Sequence, residues 1–189
     1  MLYTRKGDSG TTKTFGADKR ISKNSSIAEA LGSLDEINSF LGLCKIKSAE
    51  KNFVVDLPAQ AGEKKFADIV HDIQQTLFIV QAELAGADKK ISEEKVVGLE
   101  SLIDTIEKIL PPIKTFFISG ATELGALFDT ARTIARRAER RVVQVSEESV
   151  DSVGPETLKY LNRLSSILYA LARLANHLSG IVEEPPMYK

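Results

Sequence analysis

The sequence has few of the residues that build metal centres and disulfide frameworks. Its 189 residues include one cysteine, Cys44, and two well-separated histidines, His71 and His177. One cysteine excludes an intramolecular disulfide and a cysteine cluster for zinc or iron–sulfur. No apolar stretch reaches membrane-spanning length, and the first residues lack the apolar segment of a secretory signal. We therefore expect a cytoplasmic protein that makes no membrane contact.

An excess of charge of either sign is also missing. Lys and Arg number 25 and Asp and Glu number 26, for a net charge of -1, and hydrophobic residues make up 43% of the chain. This composition favours a folded globular protein and does not favour a general nucleic-acid binder. The length fits one domain with a single core. We divide it into an N-terminal loop over residues 1–25, a helical bundle over 26–182 and a tail over 183–189.

Helical periodicity is what the sequence has in abundance. Apolar residues recur three and four positions apart and predict helices at about 26–46, from 66 to near 86, from 92 to before Pro111, and at about 122–147. A fifth begins at Pro155, a residue type favoured in the first helical turn. Residues 47–65, with Pro58 and Gly62, are interpreted as a connection, and strand signals are nearly absent. We predict an all-α five-helix bundle.

The N-terminal segment YTRKGDSGTTKTFG, residues 3–16, is rich in glycine, threonine and basic residues. Backbone N–H groups, hydroxyls and ammonium groups together suit a polyphosphate. The segment has neither the Walker A spacing nor a dinucleotide fingerprint. A flexible N-terminal tail of the same composition is an equally good interpretation.

The fourth predicted helix carries RTIARRAERR, residues 132–141. Its spacing brings Arg132, Arg136, Glu139 and Arg140 within an arc of about 100°. The inward arc is apolar, formed by Ala131, Ile134, Ala135, Ala138 and Val142. Three guanidiniums on one stripe can neutralise a triphosphate. The alternative is a solvated basic face in which Glu139 bridges Arg136.

Two polar residues interrupt apolar patterns. Asn162 enters the fifth helix within YLNRLSSILYALARLAN, where an amide needs partners and either bridges helices or contacts a ligand. Asp35 lies between apolar positions of the first helix, where an unpaired buried carboxylate is costly. Arg132 is a candidate partner for it.

Four segments, TRKGDSGTT, EALGSLDEINSFLG, RTIARRAERRVV and YLNRLSSILYALAR, resemble in this order the PduO-type ATP:cob(I)alamin adenosyltransferases. The resemblance covers essentially the whole chain. It implies an enzyme that transfers the 5′-deoxyadenosyl group of ATP to cob(I)alamin, giving adenosylcobalamin and triphosphate. It also implies a homotrimer with ATP between subunits, Mg²⁺ held mainly by the ATP phosphates, and no nucleic-acid partner. An electron-donating reductase and an adenosylcobalamin-dependent enzyme are the further partners it suggests.

The resemblance assigns site residues by position. Phe116, with Phe117 adjacent, matches the aromatic residue beneath the corrin ring, which displaces the lower axial ligand of cob(II)alamin and eases its reduction. An intersubunit ion pair would join Asp35 to Arg132, and these two with Arg136 and Phe116 are the predicted catalytic residues. The ATP contacts fall on both ends of the chain, at Thr4, Arg5, Lys6, Gly7, Thr12, Lys13, Lys23, Arg136, Arg137, Glu139, Arg140 and Asn162.

Some positions depart from the family pattern. The usual LPGG turn reads ISGA at residues 118–121, Ile27 and Leu31 replace an arginine and a tyrosine, and Asp129 replaces a histidine. The altered turn favours an alternative function, a non-catalytic corrinoid-binding or ATP-binding carrier or sensor on the same bundle. A third hypothesis is a structural helical partner protein, which ATP would not stabilise.

Overall fold

The computed structural model describes residues 2–15, 19–57, 62–149 and 153–188. These residues contain the five predicted helices, which are therefore confirmed: α1 Ser26–Lys51, α2 Phe66–Leu84, α3 Glu93–Ile109, α4 Glu123–Glu148 and α5 Pro155–Leu178. They also contain four short strands, β1 Thr11–Thr12, β2 Ile21–Ser22, β3 Val54–Leu57 and β4 Gly62–Lys65. Two antiparallel ribbons, β1–β2 and β3–β4, accompany the helices.

The helix boundaries follow from local chemistry. The Ser25 hydroxyl caps α1 by accepting from the backbone N–H of Ala28 at 3.4 Å, and the Thr122 hydroxyl caps α4 by accepting from that of Gly125 at 3.0 Å. Pro155 occupies the first turn of α5, as predicted. The two prolines at 111 and 112 follow the end of α3, where a missing N–H no longer interrupts a helix.

The prediction of a plain connection over residues 47–65 is wrong. α1 continues to Lys51 and ends at Asn52, whose left-handed φ of 52° closes the helix. β3 and β4 then pair as an antiparallel ribbon, with Val54 opposite Lys65. Val55 is fully buried, so the ribbon contributes to the core. Strands of four residues are too short for apolar periodicity to reveal. Pro58 lies outside the described residues.

The core lies between the helices, with α4 packed against α1 on one side and α5 on the other. The predicted inward arc of α4 is confirmed: Ala131, Ala135, Ala138 and Val142 are buried and Ile134 is half-buried. Small side chains at this seam allow neighbouring helices to approach closely. Phe66 of α2 meets Phe128 of α4 edge to face, with ring centroids 6.3 Å apart. Within the described part of the chain, no helix has both the length and the apolar character needed to cross a membrane.

Candidate functional site

The predicted basic stripe runs along one side of α4. Arg132 is partly buried, whereas Arg136 and Arg140 are exposed. Nη1 of Arg140 donates to the backbone carbonyl of Arg136 at 3.1 Å, one turn back along the helix. The Arg136 side chain has no hydrogen bond or ion pair with any other described residue, so all its N–H donors remain available to a ligand.

Two further arginines of α4 face α1 instead. Arg137 forms an ion pair with Glu36, and Nε of Arg141 lies 3.5 Å from a carboxylate oxygen of Glu29. Exposed pairs of this kind contribute at most about 1 kcal/mol to stability. Arg137, which the resemblance assigns to ATP, is therefore engaged with α1 in the single chain. Its predicted contact with ATP stays a prediction.

Asn162 bridges helices in the single chain, one of the two interpretations open from the sequence. Its Nδ2 donates to Oε1 of Glu139 at 2.9 Å, and its Oδ1 accepts from Nη1 of Arg163 at 2.7 Å. Nε of Arg163 in turn donates to Oε1 of Glu100 on α3 at 2.8 Å. Glu139 thus pairs with Asn162 rather than with Arg136. Asn162, in the middle of this series of hydrogen-bonded side chains, remains exposed beside the stripe.

A pocket of about 620 Å³ lies next to the stripe, within the range typical of small-molecule sites. It is enclosed by α4, α5, the C-terminal segment after α5, and residues 110–122, which we call the aromatic loop. Phe116 is 77% exposed and Phe117 is half-buried. The pocket brings four predicted site residues together with others that were not predicted; its lining is Ile113, Lys114, Thr115, Phe116, Phe117, Ile118, Ser119, Asp129, Arg132, Arg136, Ser165, Ser166, Tyr169 and Glu183.

Two ionisable side chains in the wall of this pocket, Asp129 and Arg132, are partly removed from solvent. Burial raises the pKa of Asp129, although the Arg132 charge and hydrogen bonds from Gly120 and Ser119 act in the opposite direction. The Arg132 guanidinium lies 5.9 Å from the centroid of the Tyr169 ring, a cation–π distance. Its Nε is buried with no hydrogen-bond partner. Such a donor needs an acceptor, because a buried unpaired polar group is costly.

The premise that Asp35 is a buried carboxylate is wrong for the single chain. Leu34 and Ile37 are fully buried, but Asp35 is exposed because each residue turns the side chain by about 100° around the helix. No ion pair joins Asp35 to Arg132 among the described residues of one chain. The pairing between two subunits stays a prediction.

The N-terminal segment forms a small hairpin rather than an extended tail. Thr11 pairs with Ser22 across β1 and β2, and the Arg20 guanidinium donates to the Thr11 hydroxyl at 2.8 Å and to its carbonyl at 2.6 Å. The Lys23 ammonium lies so close to Gly7 that a Cβ there would approach it to 3.1 Å. Gly7 and Lys23, both predicted ATP contacts, are thus neighbours. The other predicted residues of the segment are exposed or half-buried: Thr4, Arg5, Lys6, Thr12 and Lys13. Gly16 lies outside the described residues.

Within one chain, the residues that follow the hairpin lie near the later turns of α4, where Asn24, Ser25, Arg141 and Gln144 line one small pocket. No hydrogen bond or ion pair between described residues joins residues 2–23 to Arg136 or Arg140. The chain leaves the hairpin at Ser26, whose hydroxyl donates to Glu148 at the far end of α4. Twelve residues separate Glu148 from Arg136, or about 18 Å along the helix. In the single chain, the two groups of predicted ATP ligands are therefore not bonded to each other, and Arg136 lies well away from the hairpin.

The family model described as cobalamin adenosyltransferase matches residues 2–175, which include the hairpin, the stripe and the aromatic loop. The chain belongs to this family. It is 40% identical over 183 residues to the corrinoid adenosyltransferase PduO of Citrobacter freundii, covering 93% of this chain and 50% of that protein. It therefore spans about half the length of that relative. Over 184 residues it is 39% identical to the corrinoid adenosyltransferase of Bacillus subtilis, covering 95% and 89% of the two chains.

A solved structure of a family member has the same fold. It is a variant of the PduO-type ATP:corrinoid adenosyltransferase from Lactobacillus reuteri, complexed with cobalamin and ATP. The TM-score is 0.84 at 31% identity, and the alignment covers 98% of this chain and 96% of that chain. This similarity extends the family assignment to the arrangement of the helices.

The sequence analysis did not predict several residues that line the pocket of the present chain. Asp129 was noted only as a departure from the family pattern, and Tyr169 only as part of a motif. Glu183 was assigned to a terminal tail, yet its side chain is largely buried. One signal was present, because Arg173 is the charged residue among the mostly apolar buried side chains of α5. A charge that is buried in a helix seam indicates an ionic partner.

Proposed function

We propose that the chain transfers the 5′-deoxyadenosyl group of ATP to cob(I)alamin, giving adenosylcobalamin and triphosphate. The observation that carries the proposal is one pocket whose wall contains the exposed ring of Phe116 together with Arg132 and Arg136. A corrin is a broad ring with apolar faces, and ATP ends in a polyanion. An aromatic platform beside guanidiniums has complementary groups for both. The activity named for the relatives, and the cobalamin and ATP bound to the Lactobacillus reuteri protein, support it.

The ATP part of the proposal uses the stripe and the hairpin together. Reduced cobalt is a strong nucleophile and needs no base; it attacks the 5′-carbon, the carbon–oxygen bond to triphosphate breaks, and its electron pair leaves with the triphosphate. Arg136 and Arg140 are positioned to stabilise this charge without first breaking an ion pair. Asn162 and Glu139 offer polar groups to the nucleoside. The hairpin contributes the remaining contacts, Thr4, Arg5, Lys6, Gly7, Thr12, Lys13 and Lys23, and α4 adds Arg137.

The corrinoid part depends on the aromatic loop. Phe116 presents an uncovered ring to the pocket, whereas Phe117 behind it is half-buried. A ring beneath the corrin excludes the lower axial ligand from the cobalt. Since that ligand donates electron density, its loss favours the reduced, nucleophilic state. Phe116 therefore acts before the transfer step, when cob(II)alamin is reduced.

We also propose that the active protein is a homotrimer with ATP bound between subunits. Three observations support contacts between copies: the separation of hairpin and stripe within one chain, the unpartnered Nε of Arg132, and the exposure of Asp35. Asp35 would accept from Arg132 of the partner subunit. Apolar side chains of α1 are also uncovered, with Leu43 54% and Ile46 61% exposed. Light scattering on the purified chain tests the trimer, and a monomeric mass in the presence of ATP would contradict it.

Magnesium is part of the proposal only as an ion carried by the ATP phosphates. No group of three or more His, Cys, Asp and Glu among the described residues could hold a metal ion, so the ATP phosphates would be the main ligands of the magnesium ion. The proposed protein is a single cytoplasmic domain. Its chemistry requires a reductase to supply cob(I)alamin and an adenosylcobalamin-dependent enzyme to use the product.

The test is a visible spectrum of reduced cobalamin with the protein and ATP. We expect conversion to the light-sensitive cobalt–carbon product, absent when ATP or protein is omitted. A spectral change without turnover would support the carrier or sensor instead. If ATP neither raises the melting temperature nor alters the spectrum, the structural partner protein is the better interpretation.

A further inference from the structure

A buried ion pair connects the C-terminal segment to the aromatic loop. Arg173 of α5 is 5% exposed, and its Nε donates to Oε2 of Glu183 at 2.9 Å. Its Nη2 donates to the backbone carbonyl of Pro111, at the start of the loop, at 3.2 Å. The same guanidinium lies 5.1 Å from the centroid of the Phe117 ring. One side chain thus contacts two points of the aromatic loop and the segment that follows α5.

The connection extends to the other end of the loop. Nδ2 of Asn176 donates to Oε1 of Glu183 at 3.1 Å, and its Oδ1 accepts from the Thr122 hydroxyl at 2.7 Å. Thr122 is the residue that caps α4. In addition, the backbone N–H of Ile118 donates to the carbonyl of Glu184 at 2.8 Å. The loop is therefore bonded directly to the C-terminal segment in its middle, at Ile118, and near its start and end it is bonded to Arg173 and Asn176 of α5, which both hold Glu183.

This anchoring determines where Phe116 lies. Residues 111–121 contain no helix or strand, so no backbone ladder fixes their shape. The Phe116 ring is mostly exposed and has few neighbours of its own to orient it. The next residues along the chain, Phe117 and Ile118, are the ones that contact Arg173 and the C-terminal segment. The orientation of Phe116 therefore depends on its neighbours in the chain.

Packing alone does not explain a charged pair at this place. A buried ion pair is rarely more stable than apolar residues of similar volume, and most of the buried side chains of α5 are apolar. Glu183 also lines the pocket itself, across from Asp129 and Arg132. The charge is therefore located where it can influence a ligand and the loop that contacts it.

We propose that Arg173 and Glu183 are positioning residues for the corrinoid: together they fix the aromatic loop so that Phe116 faces the ring, and the C-terminal segment forms one wall of the corrinoid site. The identity of the ligand rests on the proposed function, whereas the anchoring of the loop does not. ATP binding should be independent of this pair, because no hydrogen bond or ion pair between described residues joins Arg173 or Glu183 to the arginine stripe.

The anchoring is tested by amide hydrogen exchange on the full-length chain carrying Glu183→Ala. We expect exchange of the Ile118 amide and of residues 113–121 to accelerate at least about fivefold, because loss of the ion pair frees the segment that accepts from Ile118. Asp72→Ala is the matched control, since it removes an exposed acid that pairs with Lys64 of β4, and neither of these residues lines the pocket beside the loop. Glu183→Gln, which keeps the side-chain volume, is measured alongside in case the alanine variant does not fold.

The positioning role is tested by measuring the effect of the same substitution on each of the two substrates, cob(II)alamin and ATP. In Glu183→Ala, we expect kcat/KM for cob(II)alamin, with a reductant present, to fall about tenfold or more, equivalent to about 1.4 kcal/mol. The KM for ATP and the rise in melting temperature caused by ATP should stay within about twofold of the unaltered protein. A merely structural defect would affect both substrates.

The outcomes are distinguishable. Unchanged exchange in the loop overturns the anchoring, and faster exchange with an unchanged corrinoid kcat/KM overturns the positioning role. A matching loss of ATP stabilisation overturns it as well, since the effect is then general. If the unaltered protein forms no adenosylcobalamin, the proposed function fails. Titration of cob(II)alamin binding by absorbance then replaces the kinetics, and equal affinity in Glu183→Ala and the unaltered protein overturns the positioning role.

Discussion

Replacing Arg136 with alanine tests the proposed ATP site most directly, because we expect a small effect on stability and a large loss of activity. The side chain is exposed and has no hydrogen bond or ion pair with other described residues, so its truncation leaves no buried group unpaired. Alanine also has the highest helix propensity. We therefore expect the free energy of unfolding to change by no more than about 0.5 kcal/mol, a shift in melting temperature of no more than about 2 °C for a chain of this size.

The expected loss of activity is much larger. Removing one preorganised donor from a developing anion costs about 10² to 10³ in kcat, or about 2.7 to 4 kcal/mol. Here the anion is the departing triphosphate, and the guanidinium has no competing acid to neutralise it. ATP at 100 times its Kd stabilises a folded protein by about 2.7 kcal/mol. A tenfold weaker Kd would remove about 1.4 kcal/mol of this stabilisation, measurable as a smaller rise in melting temperature.

The assay combines adenosylcobalamin formation, followed by visible absorbance, with thermal unfolding at several ATP concentrations. Arg141→Ala is the matched control, because Arg141 lies on the same helix but pairs with Glu29 of α1. We expect the control to retain activity within about threefold, since an exposed ion pair contributes at most about 1 kcal/mol. Near-normal turnover by Arg136→Ala, or equal losses in both variants, would refute the site assignment.

Three further predictions follow from single residues. Phe116→Ala should lower turnover from cob(II)alamin at least about tenfold more than turnover from chemically reduced cob(I)alamin; equal losses in both assays would exclude ligand displacement. Cys44 is fully buried, and burial raises its pKa to about 12, so a thiol reagent at pH 8 should modify it only as fast as the protein unfolds; rapid labelling of the native protein would contradict this. Burial raises the pKa of Asp129 above its ordinary 3.8, so the folded state holds that proton more tightly and stability is lost as the pH rises through the interval between the two values. Denaturant unfolding from pH 3.5 to 6 should show the free energy of unfolding of the unaltered protein falling relative to that of Asp129→Asn; a constant difference between the two pH profiles would count against it.

The helices could be predicted because each carries its own signals. The inward arc of α4 is regular for three turns, and Ser25, Thr122 and Pro155 are at helix starts where their side chains or rings are favoured. The β3–β4 ribbon could not be predicted in the same way. Its strands of four residues are stabilised by pairing with each other and by burial of Val55, neither of which is a local property of the sequence.

The candidate site also has one part that local sequence predicts and one part that it does not. Spacing on a straight helix fixes which side chains share a face, so the stripe from Arg132 to Arg140 was correctly located. The shape of the aromatic loop depends instead on contacts between distant positions, such as Arg173 with Pro111, 62 residues apart in sequence. No periodicity encodes such a contact. Asp35 illustrates the opposite error, because apolar neighbours in sequence did not make it buried.

The arginines of α4 offer a physical argument for the nature of the ligand. Arg137 and Arg141 of α4 each form an ion pair with an acidic residue of α1. The arginines of α4 that face α1 are therefore neutralised within the chain. Arg136 and Arg140, one turn apart on the adjacent stripe, have no carboxylate partner among the described residues. Like charges four residues apart destabilise a helix, and an anion that binds both would offset this cost. In the proposed ATP site, two neighbouring guanidiniums without a protein acid suit an anion that spans one helical turn, about 5.4 Å, which a polyphosphate chain does and a single carboxylate does not.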